Sequence, residues 1–139
     1  LGAINIGVAV ALQEGLIVRV LRNVDMLTLP AINLETRRLA ERARNGELTQ
    51  DEYAGGTFSV SNLGMYELDS FTAIINRPES GILAVGAIKE KPVAMNGEVV
   101  IRPMCVLSLT YDHRIIDGAP AADFLKSIKR VLENPYLLV

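Results

Sequence analysis

The sequence predicts an α/β layered domain in which a mixed sheet is backed by helices, and three observations carry that expectation. Half of its 139 residues are hydrophobic while aromatics reach only 5% and tryptophan is absent, the balance of a sheet packed with Val, Ile and Leu. Short β-branched runs recur between Gly, Pro and Asn-Gly punctuation. Two longer stretches, residues 28–44 and 119–134, instead repeat their apolar residues at three- and four-residue intervals, the period of an amphipathic helix. At this length one domain with one core is expected, burying about two thirds of the unfolded surface if complete. No repeat, low-complexity tract or linker divides residues 1–139.

Residues 4–12 and 16–21 are β-branched runs separated by Gln13-Glu14-Gly15, which reads as a hairpin. Thr28 precedes Pro30 and a helix to Arg44, with Ile32, Leu39 and Ala43 on one face and Gly46 at the stop. Its Arg37, Arg38, Arg42 and Arg44 interleave with Glu35 and Glu41 at helical spacing, so they form a solvated charged face and not an anion patch. Thr49 to Glu52 has the spacing of a capping box. Strands are expected at residues 57–61, 71–76, 82–88 and, after the Asn96-Gly97 turn, 99–111. In the last of these Cys105, Leu107, Leu109 and Tyr111 share a face, which makes Cys105 a small buried hydrophobe. A final helix starts at Ala119 or Pro120, ends before Pro135, and buries Phe124, Leu125, Ile128 and Leu132.

The net charge of -2 provides no electrostatic case for nucleic acid or an anionic membrane, and a phosphate-bearing ligand would need a local patch. The longest apolar run, Ile6–Leu12, is far below the roughly 20 residues that cross a bilayer, and no basic segment precedes it as in a signal peptide. A soluble protein is expected. One cysteine and one histidine cannot build a disulfide or a thiolate metal cluster, so no metal is expected and a reducing compartment fits: the cytoplasm, or alternatively the mitochondrial matrix. Neither G-x-G-x-x-G nor a P-loop occurs.

The chemistry is expected at residues 110–118, TYDHRIIDG. They hold the only histidine, between two acids and ahead of a turn glycine. Imidazole takes and returns protons near neutral pH, although a lone histidine at a strand end is more often a hydrogen-bonded structural residue. DHRIIDG matches the D-H-R-x-x-D-G signature of the dihydrolipoamide acyltransferases, the E2 cores of 2-oxo acid dehydrogenase complexes, with a related H-x-x-x-D-G in chloramphenicol acetyltransferase. The chain resembles that family also in INIGVAVALQEGLIV, in ERARNGELTQDEYAGGTFSVSNLGM, in FTAIIN followed by ESGILAVGAI, and in FLKSIKRVLENP, all in the family's order. Essentially every residue is covered. The family's catalytic domain is longer, and its first part, an early strand and helices, has no counterpart here, so the chain resembles the C-terminal portion of one chloramphenicol-acetyltransferase-like domain.

The resemblance implies acyl transfer from the 8-thiol of dihydrolipoamide, carried on a separate lipoyl domain, to coenzyme A, without an acyl-enzyme or a metal. It assigns His113 as general base, the Ser61 hydroxyl as donor to the oxyanion, and Asp117 as a residue that fixes local geometry. Ser61, Asn62, Thr110 and Asp112 are implied to bind the thiol substrates, with Asp112 and Arg114 as a structural ion pair. Without the resemblance Ser61 reads as a turn serine bonded to backbone. The family forms trimers that pack into cubic or icosahedral cores, which implies His113 from one copy facing Ser61 of the next; E1 and E3 components attach through domains outside this chain. SNLGM followed by FTAIIN resembles acetyl-transferring members, so acetyl is expected, with succinyl or a branched-chain acyl as alternatives. Arg19 in place of the proline of LIVPV, Glu67 after Met-Tyr, and Arg77 within N-P-P depart from the pattern and bear on substrate shape. A Ser-His-Asp hydrolase is the competing enzyme, but no G-x-S-x-G elbow occurs. A catalytically silent scaffold is the competing non-enzyme, and the presence of His113 speaks against it.

Overall fold

The computed structural model describes residues 2–12 and 15–138. β1 (Ile6–Leu12) and β2 (Gly15–Leu21) form the expected antiparallel hairpin, in register from Ile6 opposite Leu21 to Leu12 opposite Gly15. Gln13 and Glu14 of its turn lie outside the described residues. α1 (Leu29–Arg44) begins where predicted: the Thr28 hydroxyl accepts from the Ala31 N–H at 3.4 Å, and Pro30 occupies the first turn, where a missing N–H costs nothing. It packs on β2 and β1 and buries Leu39 and Ala43. On its charged face Arg38 pairs with Glu35 at 2.6 Å, at the helical spacing expected, whereas Arg42 reaches Glu52, outside the helix, at 2.6 Å. In the one-turn α2 (Gln50–Tyr53) the Glu52 carboxylate closes the capping box by accepting from the Thr49 N–H at 2.9 Å.

β3 (Phe58–Asn62) joins β1 in parallel, and β4 (Gly81–Val85) joins β3 in parallel. Residues 71–76, expected as a strand between them, belong to no strand. Their alternation is real, but the side it marks lies on a sheet face and not at an edge. Phe71, Ala73 and Ile75 pack with Ile82 and Ala84 of β4, so the segment covers the sheet without joining its ladder.

Residues 82–88 and 99–111 were each expected as one strand, and each is divided. β4 stops at Val85, after which β5 (Lys89–Met95) and β6 (Glu98–Met104) form a separate two-stranded ribbon before β7 (Leu107–Tyr111) returns to pair antiparallel with β4. At the departure point the Gly86 N–H donates to the Val106 carbonyl at 3.0 Å and the Ala87 N–H to the Leu68 carbonyl at 2.7 Å. The predicted Asn96-Gly97 turn closes the ribbon with left-handed backbone at both residues, φ 52° and 84°, as a two-residue hairpin loop requires. Cys105 sits at the break and is exposed, a correction to its expected burial; its Sγ donates to the Gly86 carbonyl at 3.2 Å. Strand alternation extrapolated through residue 105 assumed a continuity that the backbone lacks.

The main sheet runs β2-β1-β3-β4-β7. α3 (Gly118–Glu133) follows β7 and lies over Phe58, whose ring meets Phe124 edge-on at 5.7 Å. The helix starts at Gly118, one residue before the expected Ala119, and ends at Glu133, before Pro135 as expected. Its expected buried face is only partly covered: Ala121 is buried and Leu125 and Ile128 are half-buried, but Phe124 is 44% and Leu132 63% exposed. The helical period reports an apolar side, not whether this chain supplies its cover. Among the described residues no helix is long and apolar enough to cross a membrane.

Gly86 is the position least tolerant of a side chain, because a Cβ there would collide with the backbone carbonyl of Asp69, which no rotamer change can move. Gly86→Ala should therefore lose about 2 kcal/mol or more of stability, read as a lower urea midpoint at unchanged slope. Gly2→Ala, where a Cβ meets nothing within 4 Å, is the control and should leave the midpoint in place.

Candidate active site

The ladder between β4 and β7 ends at Gly81 opposite Tyr111, and one further bond, from the Asp112 N–H to the Ser80 carbonyl at 2.9 Å, carries the chain into a turn. Asp112 then organises that turn. Its Oδ1 accepts from the Arg114 N–H at 3.0 Å, its carbonyl accepts from Ile115 at 2.9 Å and Ile116 at 3.2 Å, and both carboxylate oxygens meet the Arg114 guanidinium, the shortest bond being 2.6 Å. This is the expected ion pair, in the two-pronged geometry that makes such pairs strong. The Arg114 side chain first, and its N–H second, hold the Asp112 carboxyl down at about 2.

The turn pushes His113 outward. Its side chain is 69% exposed, and its ring leans on Tyr111 with centroids 5.6 Å apart. Nδ1 faces the Asp117 carboxylate at 3.7 Å, too long for a hydrogen bond yet within ion-pair range once the ring is protonated. Asp117 occupies the N-cap position of α3 without capping it, which leaves its carboxylate available to the histidine. Nε2 has no protein partner among the described residues. A cavity of about 840 Å³ opens beside the ring, between residues 110–115 and the crossing segment 72–79.

Of the residues expected at the site, His113, Asp112 and Thr110 line this cavity and Asp117 stands next to its histidine. Ser61 and Asn62 do not join them. Ser61 lies opposite Ala84, and Ala84 opposite Ser108, toward the far end of β7 from His113. Five residues along the β7 direction at about 3.3 Å each, and two strand spacings of about 4.8 Å, put the two roughly 19 Å apart within one chain. Ser61 does stand at a strand end, where Asn62 accepts from the Gly64 N–H at 2.9 Å to start the turn, and the residue as a whole is 9% exposed. Arg77, whose departure from the family pattern bears on substrate shape, lines the same cavity as His113. Its one sequence signal was a cation between two turn-forming residues, Asn76 and Pro78.

A mixed sheet layered with helices, presenting its one histidine from a DHRIIDG turn beside an open cavity, is a chloramphenicol-acetyltransferase-like acyltransferase fold. The family within that class follows from a profile described as 2-oxoacid dehydrogenases acyltransferase (catalytic domain), which matches residues 1–139; the chain belongs to this family. It is 46% identical over 135 residues to the dihydrolipoyllysine-residue succinyltransferase component of the 2-oxoglutarate dehydrogenase complex of Haemophilus influenzae, covering 97% of this chain and 33% of that protein. A solved structure of Azotobacter vinelandii dihydrolipoamide acetyltransferase, studied for a serine, a histidine and an asparagine in its catalytic mechanism, is covered over 58% of its length by all of this chain, at TM-score 0.94 and 39% identity. The cubic core of a pyruvate dehydrogenase multienzyme complex matches at TM-score 0.94 and 40% identity, again with 100% of this chain and 58% of that one. The chain thus spans about a third of the curated relative and less than two thirds of the solved domains. The relatives share acyl transfer at dihydrolipoamide but differ in the acyl group, so the expected acetyl does not follow from them.

Because the fork with Arg114 lowers the Asp112 carboxyl from its ordinary 3.8 to about 2, its contribution to stability should be complete above about pH 4 and lost as the pH falls through 2. A carbon-detected NMR titration should find its midpoint near 2, and Arg114→Gln should return it toward the usual carboxylate range. An ordinary midpoint in the unaltered protein would mean that the fork is not formed in solution.

Proposed function

We propose that the protein moves an acyl group, acetyl in the first instance, from S-acyldihydrolipoamide on a lipoyl domain to the thiol of coenzyme A. The observation that carries this reading is the His113 ring at the cavity, with Nδ1 toward Asp117 and Nε2 without a partner among the described residues. An ordinary thiol is only a few per cent ionised at neutral pH, so a base that removes its proton during attack accelerates the reaction by about 10²–10⁴. Nε2 takes the proton from coenzyme A, whose sulfur forms a bond to the thioester carbonyl carbon. The tetrahedral intermediate then expels the lipoyl sulfur, which receives that same proton from the imidazolium. Asp117 steadies the charged ring in between.

Ser61 is the donor to the oxyanion in this reading: a hydroxyl on a largely buried strand residue is held in place before the charge develops, which is what such a donor requires. In the Azotobacter vinelandii enzyme the serine, histidine and asparagine follow one another at the same sequence intervals as Ser61, His113 and Asp117. Since one chain holds Ser61 and His113 far apart, the site is shared: His113 from one copy, Ser61 from its neighbour in a trimer that packs into a larger core. The matching cubic core and the open apolar side of α3 support self-assembly. The lipoyl domain and the E1 and E3 components are the expected partners, in the cytoplasm or the mitochondrial matrix.

Acetyl is favoured by SNLGM and FTAIIN and by the likeness to acetyltransferase structures; succinyl is the second reading, favoured by the succinyltransferase relative at 46% identity. Steady-state rates of the full-length protein with acetyl- and succinyl-dihydrolipoamide decide between them.

His113→Ala in the full-length protein should lower transfer to coenzyme A by about 10²-fold or more with folding intact. Turnover near that of the unaltered protein would exclude His113 as the base. Ser61→Ala should lower kcat by about 10²-fold with little change in either KM, since the bond matters in the transition state. Mixing the two inactive proteins under conditions that exchange subunits should restore part of the activity, because some interfaces then unite an intact histidine with an intact serine. Exchange proven by mass, with activity still at the mutant floor, would place both residues in one chain.

A further inference from the structure

We propose that Arg77 is the anion-recognising residue of the His113 cavity, accepting a phosphate or carboxylate group of a substrate; the inference rests on the transfer reaction assigned above. Arg77 and His113 line one cavity, the first from residues 72–79 and the second from residues 110–115. The charged side chains around that cavity are not equally free. Arg114 is committed to both carboxylate oxygens of Asp112. Glu79 is buried, accepts from the Asn76 side-chain N–H at 3.0 Å, and lies close enough to Gly7 and Gly56 that a Cβ on either would meet it, so its carboxylate is directed into the sheet. Arg77 is exposed and has no hydrogen-bond or ion-pair partner among the described residues, while its charge lies near enough to help lower the Asp112 carboxyl.

The remaining lining matches a ligand with an apolar stretch and an anionic group. Ala73, Ile74, Ile75 and Ile115 supply apolar wall, and an uncommitted guanidinium beside them presents paired N–H donors in the planar geometry that phosphate and carboxylate oxygens fit. The protein's net charge of -2 provides no general attraction for such a ligand, so a local cation has to supply it. The two thiol substrates offer two sources of this chemistry: the phosphates of the acceptor, or the free carboxylate of a dicarboxylic acyl group on the donor.

Steady-state kinetics of the full-length protein and its Arg77→Gln and Arg77→Lys variants test the assignment with paired substrates. Coenzyme A is compared with pantetheine, which has the thiol without phosphates, and succinyl- with acetyl-dihydrolipoamide. Arg77→Gln should raise KM about 10-fold for the anionic member of one pair, with kcat little changed and its uncharged counterpart unaffected. A shift confined to coenzyme A identifies the acceptor's phosphates, and one confined to the succinyl donor identifies the acyl carboxylate. Arg77→Lys should recover part of the loss, and the effect should shrink in about 1 M salt, where an exposed charge is screened. No shift, or an equal shift for all four substrates, overturns the proposal. Calorimetric binding of coenzyme A and of succinate to unaltered and Arg77→Gln protein needs no turnover. Weakened binding of either, in a protein that transfers no acyl group, would uphold the anion site and refute the transfer reaction. Unchanged binding of both, alongside normal transfer, would do the reverse.

Discussion

The antiparallel register between β4 and β7 is the constraint on which the rest of the molecule depends. It is pinned at both ends by bonds just outside the ladder, from Asp112 to the Ser80 carbonyl and from Gly86 to the Val106 carbonyl. A slip by one residue would turn every β7 side chain to the opposite face, exchanging Thr110 with its neighbours and re-aiming the His113 turn. The same register fixes where the β5–β6 ribbon departs, since Gly86 and Val106 leave the sheet together. The tight approach of Gly86 to Asp69 then anchors the ribbon, reinforced by Lys89 and Lys91 on the Asp69 carboxylate at 2.8 and 2.7 Å.

Around His113, rigidity and exposure are divided between different atoms. The backbone of the turn is fixed by Asp112, whose carboxylate stays charged down to about pH 2 and so acts as a constant element across the range in which enzymes work. The ring itself is held only by contact with Tyr111 and the 3.7 Å approach of Asp117. That combination suits the proposed base: the turn fixes its backbone, while the exposed ring is free to align with a substrate. Catalytic hydrogen bonds are commonly long before substrate binds, so the distance to Asp117 is compatible with a working pair.

Sequence and structure agree wherever the determining interactions are local. The Thr28 cap with Pro30, the Thr49 to Glu52 box, the Asn96-Gly97 turn and the end of α3 before Pro135 are decided by a few neighbouring residues, and each stands where the residues put it. Where the fold departs from expectation, the deciding partner is distant. Phe71, Ala73 and Ile75 alternate like a strand, but β4 uses its edges for β3 and β7, so that segment crosses a face. Residues 99–111 read as one strand because nothing local reveals that Val106 will bond Gly86. The same division holds at the site. DHRIIDG is legible as a contiguous turn, whereas the separation of Ser61 from His113 depends on the order of β3, β4 and β7 in the sheet, which no single segment encodes.

That separation constrains any shared site. Ser61 belongs to a strand interior to the sheet and points to its covered face; His113 extends beyond the end of the edge strand β7. A two-fold contact would need one self-complementary patch to contain both groups, because each copy would present to its partner the same surface that it receives. Widely separated groups are joined more naturally by a head-to-tail contact, in which the histidine end of one copy meets the serine side of the next. Such contacts must close into a ring or propagate without limit. Closure gives as many complete sites as chains and leaves other surfaces, among them the exposed side of α3 at Phe124 and Leu132, for packing within or between rings. The shared-site reading therefore favours a cyclic oligomer over a simple two-fold dimer, and it does so from the order of strands in one sheet.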